Sequence, residues 1–497
     1  MHHSNRMHVL FCFQCQIREK SFEAKRQRQR CRQASIRKLF SGAFQRQDRY
    51  VGSEGLDMPT NHSAPKPIQV AAAVIGNALE WYDFIIFGFL TVVIARLFFP
   101  ADSQYASLLL TTATFGVGFF MRPVGGILLG LYADHNGRKS ALLLIIVLMT
   151  VAIAMIGFAP TYAAIGVAAP LIIVLARLLQ GLATGGEFAS ATSFLIETAP
   201  VNRRGFYGSW QMVGQGLAVL IGALLGALIT RSLAPEALDS WGWRIPFLLG
   251  LIIGPVGLFI RRHLQETEAF IEARGTTSLR ESFGATLASH VKQVLVCMGI
   301  VTSGTISFYV ILLYMPTFAR VQLHLPLDQA FLAQAISLAC MIVITPLSGA
   351  LSDLVGRKPI MIAALSLYFV LVYPLFGWLH DDPSFVRLAT VQIVLCCLLG
   401  IFFGPISTAV AEQFVARSRS TGLGIAYNLA VMIFGGFAQF FVTWLIEATG
   451  SPIAPSFYVM FGTAVGIVAT FFLVDRAWDA HLESLERVPA ATSPQPT

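Results

Sequence analysis

Five ionisable side chains stand well inside runs that are otherwise apolar: Glu80, Asp83, Arg122, Arg177 and Glu187. In hydrocarbon each such group costs about 2.5 to 3.5 kcal/mol by insertion scales, so it persists mainly where it faces a cavity or a partner. Asn77, Glu80 and Asp83 recur every third residue, which places them as a slowly drifting stripe on one helical face. That stripe is expected to look into a central cavity. A carboxylate there is charged or neutral according to its burial and its cationic neighbours, which makes Glu80, Asp83 and Glu187 the candidates for carrying a proton. A second stripe runs Arg177, Gln180, Thr184, Glu187. A fixed guanidinium near mid-membrane can bind a carboxylate through paired hydrogen bonds, so Arg177 and Arg122 are the expected source of positive field for an anion. The alternative is that either arginine pairs permanently with Glu80, Asp83 or Glu187 and only holds helices together. Gln211, Gln215, Tyr309, Gln334 and Asn428, with Thr302, Thr305 and Tyr427, add neutral groups suited to hydroxyl or carboxylate oxygens. Each is equally suited to an interhelical hydrogen bond, worth about 0.6 kcal/mol in a membrane.

The elements that must position these groups follow from composition. The chain is 55% hydrophobic and 12% charged, against about 25% charged in soluble domains. A bilayer core about 30 Å thick needs about 20 mainly apolar residues per helix. Twelve such runs lie near 70–97, 105–132, 140–158, 166–192, 206–230, 244–262, 290–314, 329–351, 359–379, 388–411, 421–446 and 455–474. They are too long and too continuously apolar for an outer-membrane barrel, so an all-α membrane protein is expected. Gly116, Gly118, Gly125, Gly126 and Gly130 in the second run, and Gly435 and Gly436 in the eleventh, permit close helix approach. Pro246, Pro316, Pro346 and Pro405 are expected to kink or end helices.

Two loops repeat. Gly130-Leu-Tyr-Ala-Asp134-His-Asn-Gly137-Arg138-Lys139 matches Gly349-Ala-Leu-Ser-Asp353-Leu-Val-Gly356-Arg357-Lys358 at five positions, each offset by 219 residues. An offset six runs long implies two structural halves of parallel repeat type. Asp134, Gly137, Arg138, Lys139, Asp353, Gly356, Arg357 and Arg419 are expected to form a gate that latches neighbouring helix ends; the bland alternative is that the basic residues merely mark the cytoplasmic side. Lys/Arg bias between short loops sets orientation. It puts the loops with Arg138 and Lys139, Arg203 and Arg204, Arg261 and Arg262, Arg357 and Lys358, and Arg417 and Arg419 in the cytoplasm, with both termini.

The domain reading is a basic tail 1–66, a six-helix half 67–262, a cytoplasmic linker 263–289, a second half 290–475 and a tail 476–497. Residues 1–57 hold twelve Lys/Arg against five Asp/Glu, so the net charge of +8 belongs mostly to the tail, and no nucleic-acid partner is implied. The tail admits three readings: an anionic-lipid contact, a transit peptide, or a start codon placed upstream of a true start near Met58. Cys12 and Cys15 lack a second pair at ligand spacing, so no metal is expected. The cysteines at 297, 340, 396 and 397 fall in apolar runs, and no structural disulfide is expected.

The duplicated loop resembles the signature of the major facilitator superfamily, and Arg177-Leu-Leu-Gln180-Gly181 is similar to that superfamily's second motif. Gly76-Asn77-x-x-Glu80-Trp81-Tyr82-Asp83-Phe84, Gly118-Phe-x-Met121-Arg122-Pro123-x-Gly125, Gly185-Gly-Glu187 and Trp241-Gly-Trp243-Arg244-Ile-Pro246-Phe resemble its metabolite:proton symporter branch. Gly205-Phe206-Tyr207-Gly-Ser209-Trp210-Gln211 and Leu264-Gln265-Glu266-Thr267-Glu268-Ala-Phe270 look most like citrate-proton symporters and related dicarboxylate and tricarboxylate permeases. The resemblance covers roughly residues 67–475. The antiporter signature Gly-x-x-x-Gly-Pro-x-x-Gly-Gly is missing from the fifth run, which weighs against drug efflux.

The resemblance implies a twelve-helix fold in two pseudo-symmetric halves and a proton-coupled importer of a small organic anion. It would be a multi-pass protein of the bacterial inner membrane, monomeric, without a cofactor. A symporter of a zwitterionic osmolyte or an aromatic acid is the alternative; a non-transporting membrane sensor is the alternative from another class. No His-Glu-x-x-His, nucleophile elbow or Walker loop is present, so an enzyme is not expected.

Overall fold

The computed structural model describes residues 67–251, 254 and 290–475, apart from 137, 186 and 415–418. Both tails, the linker 263–289 and the end of the sixth run lie outside the described residues. So do Gly137 and the side chains of Glu80, Asp134, Arg138, Lys139 and Glu187.

With no water to satisfy backbone groups, a spanning segment closes its hydrogen bonds within itself, and each of the twelve apolar runs is helical over most of its described residues. Span 1 is Pro67–Phe89 and Thr91–Phe98, span 2 Gln104–Asn136, span 3 Arg138–Gly157, and span 4 Ala168–Ala183 with Glu187–Thr198. Span 5 is Arg204–Ser232, and span 6 starts at residue 245. Span 7 joins Val291–Ser307, Phe308–Tyr314 and Met315–Val321; span 8 is Leu327–Val355, span 9 Arg357–Asp381 and span 10 Phe385–Ala411. Span 11 joins Arg419–Ala430, Val431–Gly435 and Ala438–Thr449, and span 12 is Ala454–Phe471. Among the described residues eight helices are individually long and apolar enough to cross a bilayer, and the two pieces of span 1 together make a ninth. The two pieces of span 1 are bent by 61°, at the turn where the Thr91 hydroxyl donates to Gly88 O.

Spans 7 and 11 each contain a π-helical segment, Phe308–Tyr314 and Val431–Gly435. Such widened turns concentrate at functional sites. Pro316 lies two residues past the first and has no N–H to return to the preceding turn; in the second, Gly436 N–H donates to Val431 O, five residues back. Pro346 and Pro405 lie inside spans 8 and 10.

The seam between spans 2 and 4 is backbone on backbone. A Cβ on Gly118 would press on Arg177 O, on Gly125 against Leu182 O, on Gly181 against Gly118 O, and on Gly185 against Arg122 O. Only glycine permits that approach, and it brings the stems of Arg122 and Arg177 onto adjacent helices in direct contact.

The halves meet along spans 5 and 8, from Gly205 on Gly349, through Gly216 on Met341 and Ile342, to Gly226 on Phe331. They meet again along spans 2 and 11, where Phe437 covers Gly116 and Phe119 covers Gly436. The halves therefore touch both near the end that carries the duplicated loops, called here the motif end, and near the opposite end.

Candidate functional site

Arg177 is fully buried. Its guanidinium lies 4.2 Å from the centre of the Phe84 ring, 4.8 Å from Phe87 and 4.7 Å from Phe115. It donates to Gln180 Oε1 at 2.7 Å, and at a long 3.4 Å to Phe84 O and Phe115 O. Its Nε has no partner. Arg122, also buried, sits over Phe84 at 4.7 Å, Phe119 at 4.6 Å and Trp81 at 5.6 Å, so the two guanidinium groups share the Phe84 ring. Cation–π contacts of this kind are worth about 2 kcal/mol when desolvated, which offsets only part of the cost of burying two like charges. Among the described residues no carboxylate pairs with either arginine.

The second half closes over this pair with Tyr309 and Tyr427. Tyr309 packs edge-on against Phe115 and Phe119, and its buried hydroxyl has no partner. Tyr427 stacks on Phe188 at 3.7 Å. Between the two tyrosines lies a small, mostly apolar cavity, lined among others by Trp81, Phe188, Gln215, Thr305, Tyr309 and Tyr427. The buried Nε2 atoms of Gln180 and Gln215 are also unpartnered. Among the described residues, the unpartnered buried groups around the two arginines are donors, which is the complement of a carboxylate.

Other expected site residues lie elsewhere. Asn77 faces span 5, where its Nδ2 donates to Gln211 O at 3.1 Å and its Oδ1 accepts from Gln211 Nε2 at 3.4 Å; the pair joins spans 1 and 5 rather than lining the cavity. Asp83 is buried and directed at Gly250 of span 6 and Ile153 of span 3. The Asn77 to Asp83 stripe therefore winds away from the cavity, because three-residue steps lag the helical turn, and the face pointing inward carries Trp81 and Phe84. Gln334 accepts from Gln392 Nε2 at 2.9 Å inside the second half. Asn428 donates to Gly185 O at 2.6 Å and ties span 11 to the break in span 4.

At the motif end Asp353 accepts from the N–H groups of Gly205 and Phe206, at 2.8 and 2.9 Å. These are free donors at the start of span 5, where the helix dipole favours an anion. Arg357 holds Asp353 at 2.9 Å, reaches Glu412 at 3.4 Å and donates to Ser352 O. Gly356 between them has φ 95°, a conformation that favours glycine. Arg419 pairs with Glu197 of span 4 at 2.9 Å, and the Thr408 hydroxyl donates to Arg204 O. The sequence reading missed Glu197 and Glu412, although each sits at the end of a span whose successor begins with an arginine, Arg204 and Arg419 respectively. Burial pushes the Glu412 carboxyl above the usual carboxylate range, against the opposing pull of Arg357 and Arg204.

It also missed Gln439 of span 11, which is fully buried with neither amide atom partnered. A lone glutamine between Phe437 and Phe440 was its only signal.

A family model described as Major Facilitator Superfamily matches residues 73–430. Over 402 residues the chain is 38% identical to a citrate-proton symporter of Klebsiella pneumoniae, covering 81% of this chain and 90% of that protein. Over 409 residues it is 31% identical to a proline/betaine transporter of Escherichia coli, covering 80% and 81%. Among solved structures, a D-xylose-proton symporter superposes with a TM-score of 0.66 at 19% identity, covering 81% of this chain and 96% of that one, a likeness of fold alone.

Proposed function

Because the chain belongs to the major facilitator superfamily, we propose that it is a proton-coupled symporter importing a small organic anion, citrate or a related di- or tricarboxylate. The observation that carries this reading is the surplus of buried donors around Arg122 and Arg177. Two guanidinium groups, the Tyr309 hydroxyl and the Gln180 and Gln215 amides converge where no described carboxylate answers them. An acceptor-rich ligand completes that set, and an arginine fork binds a carboxylate through two parallel bonds. The name of the Klebsiella relative supports the same class.

In this reading Arg122, Arg177, Gln180, Gln215 and Tyr309 bind the substrate. Asn77, Gln211, Gln334 and Asn428 support the helices that carry them. Glu80 and Glu187, which flank the arginines in sequence, take the proton, and Asp83 is the third candidate. The motif end faces the cytoplasm, where Asp353, Gly356, Arg357 and Arg419, with Asp134, Gly137, Arg138 and Lys139, form the gate. Residues 67–262 and 290–475 rock about the midplane site.

Reconstituted vesicles with an imposed pH gradient test this with radiolabelled citrate, 2-oxoglutarate, malate, shikimate, proline and betaine. Citrate accumulation that collapses with a protonophore is expected; accumulation of betaine or proline alone overturns the anion reading. That second reading has its own support in the aromatic lining, since quaternary ammonium groups are bound by aromatic cages, and in the Escherichia coli relative. It is disfavoured because Trp81, Phe84 and Phe119 already hold the Arg122 guanidinium.

A further inference from the structure

Gln439 lies in span 11 four residues beyond Gly435, the glycine whose missing side chain makes room for Thr305 and Tyr309. It is on the side of the site away from the motif end. A Cβ built on Gly88 of span 1 would meet Gln439 Nε2 at 3.3 Å, Leu313 at 3.0 Å and the Phe115 ring at 3.4 Å. Among the described residues nothing polar answers the amide: Nε2 and Oε1 are both buried without a partner. One turn further on, by contrast, Thr443 is hydrogen-bonded to the Tyr314 hydroxyl and to Gln439 O. Phe115 stands between Gln439 and the arginines. Its ring is beside the amide, its own carbonyl accepts from Arg177, and it packs on Phe84, Phe119 and Tyr309.

We propose that Gln439 is an outer subsite for the substrate, an amide that donates to a carboxylate of the incoming anion before the Phe115 layer parts and passes it to Arg177 and Arg122. The inference rests on the anion-symport reading above. A buried primary amide with no partner is a standing penalty, and in a membrane bundle an apolar side chain would fill the same place without it. The penalty is relieved when a ligand with oxygen acceptors arrives from the end opposite the motif loops. The amide is neutral, so it binds the anion weakly enough to release it inward to the charged pair, as a multi-site path requires.

The test is radiolabelled citrate uptake into vesicles by the full-length protein and its Gln439→Leu, Gln439→Asn and Gln439→Glu variants. Leucine removes an unpaired polar group from an apolar setting, so Gln439→Leu is expected to fold, with a melting temperature in detergent no lower than wild type. Its KM for citrate rises about tenfold, the loss of one hydrogen bond to a charged group, with the maximal rate within about twofold of wild type. Gln439→Asn keeps a donor and falls between the two. Gln439→Glu matches wild type at acidic external pH, where the carboxyl donates a proton, and exceeds Gln439→Leu in KM once ionised. An unchanged KM in Gln439→Leu, or a lower maximal rate with KM unchanged, overturns the subsite while leaving the function intact. A wild-type protein that carries no citrate in the same vesicles overturns the function itself and the subsite with it.

Discussion

Replacing Arg177 by lysine keeps the charge and removes the fork, and the geometry sets how much that costs. In this structure one Nη of Arg177 is committed to Gln180 Oε1 at 2.7 Å, the other makes only a long contact to Phe115 O, and Nε is free. A carboxylate approaching the Nε and Nη2 edge receives two parallel charge-assisted bonds. A lysine ammonium that keeps the Gln180 bond has its remaining N–H groups splayed tetrahedrally, so it gives one carboxylate a single well-aligned bond. The missing bond is worth about 1.5 to 3 kcal/mol, which at 1.4 kcal/mol per decade raises KM about 10- to 100-fold. The assay is the concentration dependence of citrate uptake into vesicles under a fixed pH gradient, with thermal melting in detergent to separate lost binding from lost fold. Arg177→Lys with a KM within about twofold of wild type refutes bidentate recognition at Arg177, because charge alone would then account for its role.

Asp353→Asn leaves one acceptor oxygen for the two N–H groups of Gly205 and Phe206 and removes the charge opposite Arg357; a loss of about 1.5 to 3 kcal/mol shifts the motif end toward open about 10- to 100-fold, read as faster maleimide labelling of Ser193→Cys, buried here against Ser420, in a cysteine-free background. Glu197→Gln breaks the Arg419 pair, but Glu197 is 49% exposed, so its effect in the same assay stays within about 1 kcal/mol. Glu412 keeps its proton to higher pH when folded than when unfolded. Its contribution to stability is full below the ordinary carboxylate range and is lost as pH rises through the raised folded-state value. Glu412→Gln, which cannot titrate, should flatten that fall in a melting-temperature series from pH 4 to 8, and a variant curve parallel to wild type would exclude Glu412 as its source. Gly125→Ala places a methyl group against Leu182 O and should lower stability by about 1 to 3 kcal/mol, measured as melting temperature in detergent.

The helices were legible in the sequence because hydrocarbon imposes one rule on every backbone group, and, apart from the sixth, whose end is not described, the apolar runs coincide with the helical passages to within several residues. The arginine pair was legible for the related reason that a guanidinium in such a run needs a special environment. What sequence could not give was azimuth. Asn77 and Asp83 share a three-residue step with Glu80, yet Asn77 turns to Gln211 of span 5 and Asp83 to Gly250 of span 6, because the neighbours of a helical face are set by packing and not by spacing. Gln334 paired with Gln392 for the same reason. The π-helical segments escaped notice because one residue of slack leaves no compositional mark beyond the nearby Pro316 and Gly436.

The chemistry divides unequally between the halves. Arg122 and Arg177 come from spans 2 and 4, whose glycine seam holds the two backbones in contact at four places. Such a seam has no side-chain layer to slide on, so the two charges keep a fixed spacing. The second half contributes Tyr309, Thr305 and Tyr427, all neutral, from spans 7 and 11, and these spans carry the widened turns 308–314 and 431–435. A π segment trades regular hydrogen bonding for slack, and here both lie beside the cavity, touching through Gly435 against Thr305 and Tyr309. Charge fixed on a stiff pair and cover supplied by compliant helices is the arrangement alternating access needs. Under the proposed anion symport, the first half would hold the anion through strong, distance-sensitive bonds while the second opens one end at a time, without the buried charges ever having to part.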